Sequence, residues 1–96
     1  MVTEFAHIEV KPSMQAEFIA GVEKSRAVFM ASKGCAGLTV QHSIEEPTKF
    51  VLMVQWGSLE DHMVSFRESE NYQIWRGNVG HCFAVAPVVW HGQVVA

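Results

Sequence analysis

Five histidines, His7, His42, His62, His81 and His91, are the residues of this chain whose type most readily supports chemistry. An imidazole titrates near pH 6.5, about where it can take or return a proton under neutral conditions, and its nitrogens also bind metals. The five fall on separate segments with no HxH or HxxxH pair to put two on one face, so no metal is expected. The expectation is instead that His7 and His42 point toward the helices with His62 above them. Polar groups so placed would line an otherwise apolar cavity, the usual style of a small-molecule site.

Other chemistries lack the residue patterns they need. Gly34, Gly37, Gly57, Gly77 and Gly80 are too dispersed for GxGxxG or a Walker loop, so nucleotide and flavin binding are not expected. No GxSxG elbow is present, which argues against a hydrolase. Cys35 and Cys82 match neither CxxC nor a zinc spacing and read as reduced, semi-buried thiols. No cofactor is expected.

The elements that must position these residues follow from periodicity. Val2 to Val10 alternates, with Val2, Ala6, Ile8 and Val10 on one face and Thr3, Phe5, His7 and Glu9 on the other. Pro12 and Ser13 break this strand and open a helix to about Ala31, with Met14, Phe18, Val22 and Phe29 at helical spacing. Gly34 stops that helix. Cys35 to Ile44, with Ala36, Leu38, Val40 and Ile44 on one side, and Lys49 to Trp56 then predict an antiparallel hairpin about a polar turn. Ser58-Leu59-Glu60-Asp61 has the pattern of a capped helix start, and Leu59, Met63 and Phe66 continue it. A second piece begins near Ser69, with Tyr72, Trp75 and Val79 inward and Gly77 and Gly80 ending it. Cys82 to Val95 is the last strand region, interrupted at Pro87 by a bulge or an edge. The order β-α-β-β-α-β is that of a ferredoxin-like α+β domain.

Composition bounds what this domain does. Ninety-six residues make one domain, residues 1–96. Hydrophobic residues form 49% of the chain, charged ones 18%, and the net charge is −3. Disorder is excluded, and so is a basic nucleic-acid-binding face. No apolar stretch approaches the roughly 20 residues of a membrane helix. The chain opens with no basic stretch ahead of an apolar run, so no secretory signal is read and a cytoplasmic location is expected. The strand from Lys49 to Trp56 is nearly apolar on both sides, although one face of a helix-backed sheet should be polar. A second copy packed sheet to sheet would cover that face, so a homodimer is expected.

Three stretches carry a resemblance. The run Val54-Gln55-Trp56-Gly57-Ser58-Leu59-Glu60-Asp61-His62 resembles the strand-ending tryptophan region of the antibiotic biosynthesis monooxygenase domain family. Ser32-Lys33-Gly34-Cys35-Ala36-Gly37-Leu38 is similar to the family's PGC turn, with Lys33 in place of proline, and Ser69 to Trp75 resembles its aromatic helix. The resemblance spans nearly the whole chain and implies a dimeric α+β barrel. It implies a pocket between helices and sheet, with Trp56 beside it and Arg76 where phenol-oxidising members carry an arginine. The chain also departs from those members: Leu52 stands where they place an asparagine and His62 where they place a tyrosine. His7 occupies the asparagine position of the haem-opening members, and Tyr72 to Trp75 lacks their histidine, so haem is not expected.

The resulting expectation is a cofactor-independent monooxygenase acting on a small aromatic or quinol-type compound. Trp56, Phe66, Tyr72, His42 and Leu52 would contact the substrate. Arg76 would stabilise an anionic oxygen, and His62 or His7 would accept a proton. A non-catalytic domain binding a hydrophobic molecule, or an isomerase on the same scaffold, are the alternatives.

Overall fold

Alternation along the first strand sets the architecture. In the computed structural model, which describes all residues 1–96, β1 (Val2–Glu9) buries Glu4, Ala6 and Ile8 on one face and turns Thr3, Phe5 and His7 to the other. It lies at the centre of a four-stranded antiparallel sheet of order β2-β3-β1-β4, with β2 Cys35–His42, β3 Lys49–Trp56 and β4 Val88–Gly92. β3 pairs with both β1 and β2, which therefore run in the same direction with β3 between them. This is the ferredoxin-like α+β order read from the sequence.

Helices α1 (Gln15–Met30) and α2 (Glu70–Val79) cover the inner face of the sheet. Phe18, Val22 and Phe29 of α1 pack on Phe50, Leu52, Val54 and Trp56 of β3, all buried. The two helices touch where α1 carries no side chain: a Cβ at Gly21 would fall 2.7 Å from the carbonyl oxygen of Asn78. Beside it the buried Ser25 hydroxyl donates to Gly21 O at 2.7 Å and accepts from Asn78 Nδ2 at 2.9 Å. This polar contact fixes how α2 sits over the sheet.

Several boundaries differ from the periodic reading. Helix α1 starts at Gln15, because Ser13 takes a left-handed φ of 70° and leaves Pro12 in the preceding turn. A β-bulge between Cys35 and Gly37 turns Ala36 outward, and Ile44 lies beyond the strand, 93% exposed in the turn. The last strand shrinks to five residues after Pro87 and forms a sheet edge, where a residue lacking a donor is tolerated. The segment before α2 is a π-helix, Asp61–Phe66, where an α-helical turn is predicted.

The turn from α1 into β2 is held against the start of that π-helix. Gly34 has φ 80°, its carbonyl accepts the Gly57 N–H at 2.8 Å, and a Cβ placed on it would collide with the Asp61 carboxylate. Gly34→Ala is therefore expected to cost about 2–3 kcal/mol, combining the left-handed backbone with the displaced carboxylate. Urea unfolding measures this, and a loss below about 0.5 kcal/mol would contradict the packing described.

Candidate functional site

Between α2, the π-helix and the sheet lies a cavity of about 250 Å³. Ala6, Ile8 and Leu52 form its floor, Phe29 and Trp75 pack along one side, and Phe83, Pro87 and Val89 close another. Its polar groups are few and come from three elements: Glu4 from β1, His62 and Arg67 from the π-helix and its end, and Tyr72 and Arg76 from α2. His91 of β4 stands directly across the strand pair from Glu4 and completes the cluster from behind.

Glu4 is the unusual member, a carboxyl only 5% exposed on the core face of a central strand. Buried carboxyl groups need partners, and this one has two. The Trp56 indole N–H donates to Glu4 Oε1 at 2.9 Å, and His62 Nε2 lies 3.3 Å from the same oxygen. Trp56 reaches it along the sheet diagonal, because Glu4 is registered opposite Val54, two residues before the tryptophan. The other nitrogen of His62, Nδ1, is 2.7 Å from His91 Nε2. The His62 ring also stacks on Trp56, with centroids 5.3 Å apart and planes 14° from parallel.

Burial dominates the protonation of these groups. It pushes the Glu4 carboxyl up to about 7, against the lowering effects of the Trp56 bond and the Arg67 charge. It drives His62 down to about 4, helped by the charges of His91 and Arg67, and it also lowers His91 with Arg67 contributing. At neutral pH both imidazoles are uncharged, so their contact with Glu4 is a hydrogen-bond chain rather than an ion pair. With Glu4 ionised, His62 Nε2–H points at the carboxylate and Nδ1 accepts the proton on His91 Nε2. The chain joins a buried carboxyl of near-neutral proton affinity to a half-buried histidine at the edge of the sheet.

The π-helix makes this geometry possible. The Arg67 N–H bonds the His62 carbonyl at 3.1 Å, a five-residue step. In an α-helix residues five apart point about 140° away from one another. The wider π turn instead brings Arg67 round beside His62 and Phe66.

The sequence-derived site residues divide in two. His62, Phe66, Tyr72, Arg76 and Leu52 all line the cavity, and Trp56 backs it through His62 and Phe66. Arg76 is exposed at the rim, donates to the Tyr72 hydroxyl at 3.3 Å and lies over the Phe83 ring. His7 and His42 are elsewhere, which corrects the expectation that they join His62. His7 is on the opposite face of the sheet, where its Nε2 accepts the Trp90 indole N–H at 3.1 Å. His42 is on the helix side but at the far end of the sheet, stacked on Phe50 and 2.7 Å from Pro47 O. Both line a separate open depression of about 470 Å³. Glu4, Arg67 and His91 were not among the expected site residues. For Glu4 the signal was available, since it shares strand parity with Ala6 and Ile8.

Fold and cavity together define a ferredoxin-like α+β domain that keeps an acid–base cluster beside an apolar chamber on the helix side of its sheet. The chain belongs to the antibiotic biosynthesis monooxygenase family, whose model matches residues 1–77. It is similar to the crystal structure of a candidate antibiotic biosynthesis monooxygenase from Bordetella bronchiseptica, with 44% identity, TM-score 0.98, and coverage of 99% of this chain and 97% of that one. A second such candidate, from Nitrosomonas europaea, shares the fold at TM-score 0.82 with 19% identity over the full length of both chains. The uncharacterized protein YczJ of Bacillus subtilis (strain 168) is 32% identical over 95 residues, 99% of this chain and 100% of YczJ. No helix is long and apolar enough to cross a membrane.

Proposed function

We propose that the cavity is the site of a cofactor-independent oxygenation of a small aromatic or quinol-type compound. The observation that supports this best is the chain Glu4–His62–His91, which offers a base of near-neutral proton affinity inside an apolar chamber. A phenol bound there loses its hydroxyl proton to Glu4, whose carboxylate is held in place by His62 and, behind it, His91. The electron-rich phenolate then reacts with O₂ at a ring carbon bearing hydrogen. A C–O bond forms, and Glu4 returns its proton to the outer peroxide oxygen, giving a hydroperoxide. Loss of that hydrogen and of hydroxide leaves a carbonyl, so the products are a quinone and one water. Arg76 and Tyr72 at the rim stabilise the oxyanion. Oxygen uptake with a panel of naphthols and hydroquinones tests this reading. Turnover without oxygen would point to an isomerase, and tight binding without turnover to a carrier.

The same reading includes a homodimer. The outer sheet face carries Phe5 stacked on Trp90 at 4.6 Å, with Trp90 50% and Val88 64% exposed. Apolar surface of this kind on one face of a sheet favours a second copy packed against it. Sedimentation at micromolar concentration is expected to give a dimer. Trp90→Arg should weaken it by about 30-fold or more, the effect of losing a central aromatic anchor. A wild-type monomer would refute the pairing. The two free thiols, Cys35 and Cys82, accord with a cytoplasmic location.

A further inference from the structure

Arg67 is the cavity residue that the proposed reaction leaves without a task. Its Nε is buried and donates to no group of the protein, and none of the ion pairs includes its guanidinium. A buried donor left unpaired is costly, and a charged one more so. Glu4 uses its Oε1 on Trp56 and His62, and no hydrogen bond or ion pair joins it to Arg67. Arg76 is in a different position, exposed and bonded to Tyr72. Arg67 is one of the residues that line the chamber, and its guanidinium brings there a full positive charge that no carboxylate of the protein pairs.

The chemistry of a guanidinium is specific. Its two Nη groups present parallel N–H donors, spaced for the two oxygens of one carboxylate. The rest of the chamber is aromatic and aliphatic: Phe29, Leu52, Phe66, Trp75 and Val89. At about 250 Å³ it is smaller than the pockets of roughly 300–1,000 Å³ that take drug-sized ligands. Its size suits one or two rings.

We infer that the cavity selects aromatic carboxylic acids of one or two rings, with the two Nη groups of Arg67 holding the carboxylate end-on and the ring lying among Phe29, Leu52 and Phe66. This rests on the reading of the cavity as a small-molecule site and adds the class of its ligand. Arg67 is a specificity-determining residue here, not a proton-transfer group. The ring hydroxyl that reacts would sit at the Glu4 side of the chamber and the carboxylate at the π-helix.

Calorimetric titration with benzoate against benzamide, and 2-naphthoate against 2-naphthamide, separates charge from shape. The wild type is expected to bind each acid at least about 10-fold tighter than its amide, the effect of one charge-assisted hydrogen-bonded pair. In Arg67→Met that preference should vanish while amide affinity stays within about twofold, which also shows that the cavity is intact. Arg67→Lys, with charge but no fork, should keep only part of it. In the unsubstituted protein the Arg67 Nε–H resonance should shift on titration with the acid and not with the amide. Equal affinity for acid and amide, an unchanged preference in Arg67→Met, or no binding of any of the four probes at millimolar concentration would overturn the inference. None of these measurements reads oxygen uptake. A protein that selects the acids but consumes no oxygen would refute the oxygenase reading and leave this one standing.

Discussion

Glu4→Gln is expected to reduce oxygen uptake by about 100-fold or more at pH 7.5, the scale of losing a positioned general base. The substitution is well suited to the question. Glu4 Oε1 accepts both the Trp56 indole N–H and the proton on His62 Nε2. An amide oxygen in the same place has two lone pairs and can accept both, so the packing survives while the basicity is lost. His62→Phe keeps the stack on Trp56 but removes the donor that positions the Glu4 carboxylate, and a smaller loss of about 10-fold is expected. The wild-type rate should rise with pH through about 7, as the carboxyl ionises, and that rise should be absent in Glu4→Gln. An oxygen electrode with the most active naphthol measures all three. A Glu4→Gln rate within threefold of wild type would remove Glu4 from the mechanism.

The second large effect concerns stability against pH, where Glu4 and His62 work in opposite directions. The Glu4 carboxyl is raised from 4.5 to about 7 by folding, so the folded state holds its proton more tightly. Its contribution is fully present below pH 4.5 and is lost as pH rises through 7. His62 is lowered from 6.5 to about 4, so its contribution is present above pH 6.5 and is lost as pH falls through 4. Each amounts to roughly 3 kcal/mol, and in the wild type they largely offset one another between pH 4 and 7. Single substitutions expose them. Relative to wild type, Glu4→Gln should become progressively less stable from pH 7 down to 4, and His62→Phe progressively more stable over the same range. Urea unfolding in steps of one pH unit measures the two differences, in which the remaining carboxylates cancel. Parallel rather than opposed slopes would show that burial does not govern these two groups.

The regular elements were legible because their periods are simple. Lys49 to Trp56 is a dense run of β-formers bounded by turn residues, and Phe18, Val22 and Phe29 repeat at helical spacing, so strand β3 and helix α1 emerge nearly at their observed limits. The lining residues Leu52, Phe66, Tyr72 and Arg76 were accessible from the family resemblance. The acid–base cluster was not, for three separate reasons. Glu4 was passed over because the core face of its strand was read from apolar residues alone, although a carboxyl of the same parity is the informative exception. His91 depends on the register of a strand whose limits Pro87 blurs. Arg67 depends on a π turn, and Leu59, Met63 and Phe66 show only the ordinary helical period there. His7 illustrates the reverse. Its parity with Phe5 sets it on the outer face, away from the cavity, whatever chemistry its imidazole could support.

The π-helix also determines how this site can change over evolutionary time. Its five-residue step holds one more residue per turn than an α-helix would use to cover the same path. A deletion of one codon between Asp61 and Phe66 would let the segment close as an α-helix. After such a deletion Arg67 would stand four places from His62, about 40° round an α-helix, so the two would remain neighbours on the chamber wall. His62, lying ahead of most such deletions, would keep its place against Glu4 and Trp56. The extra residue of the π turn is thus one that chains of this architecture can lose without moving either group. Only substitution of His62 or Arg67 themselves would take one away and leave the other in place.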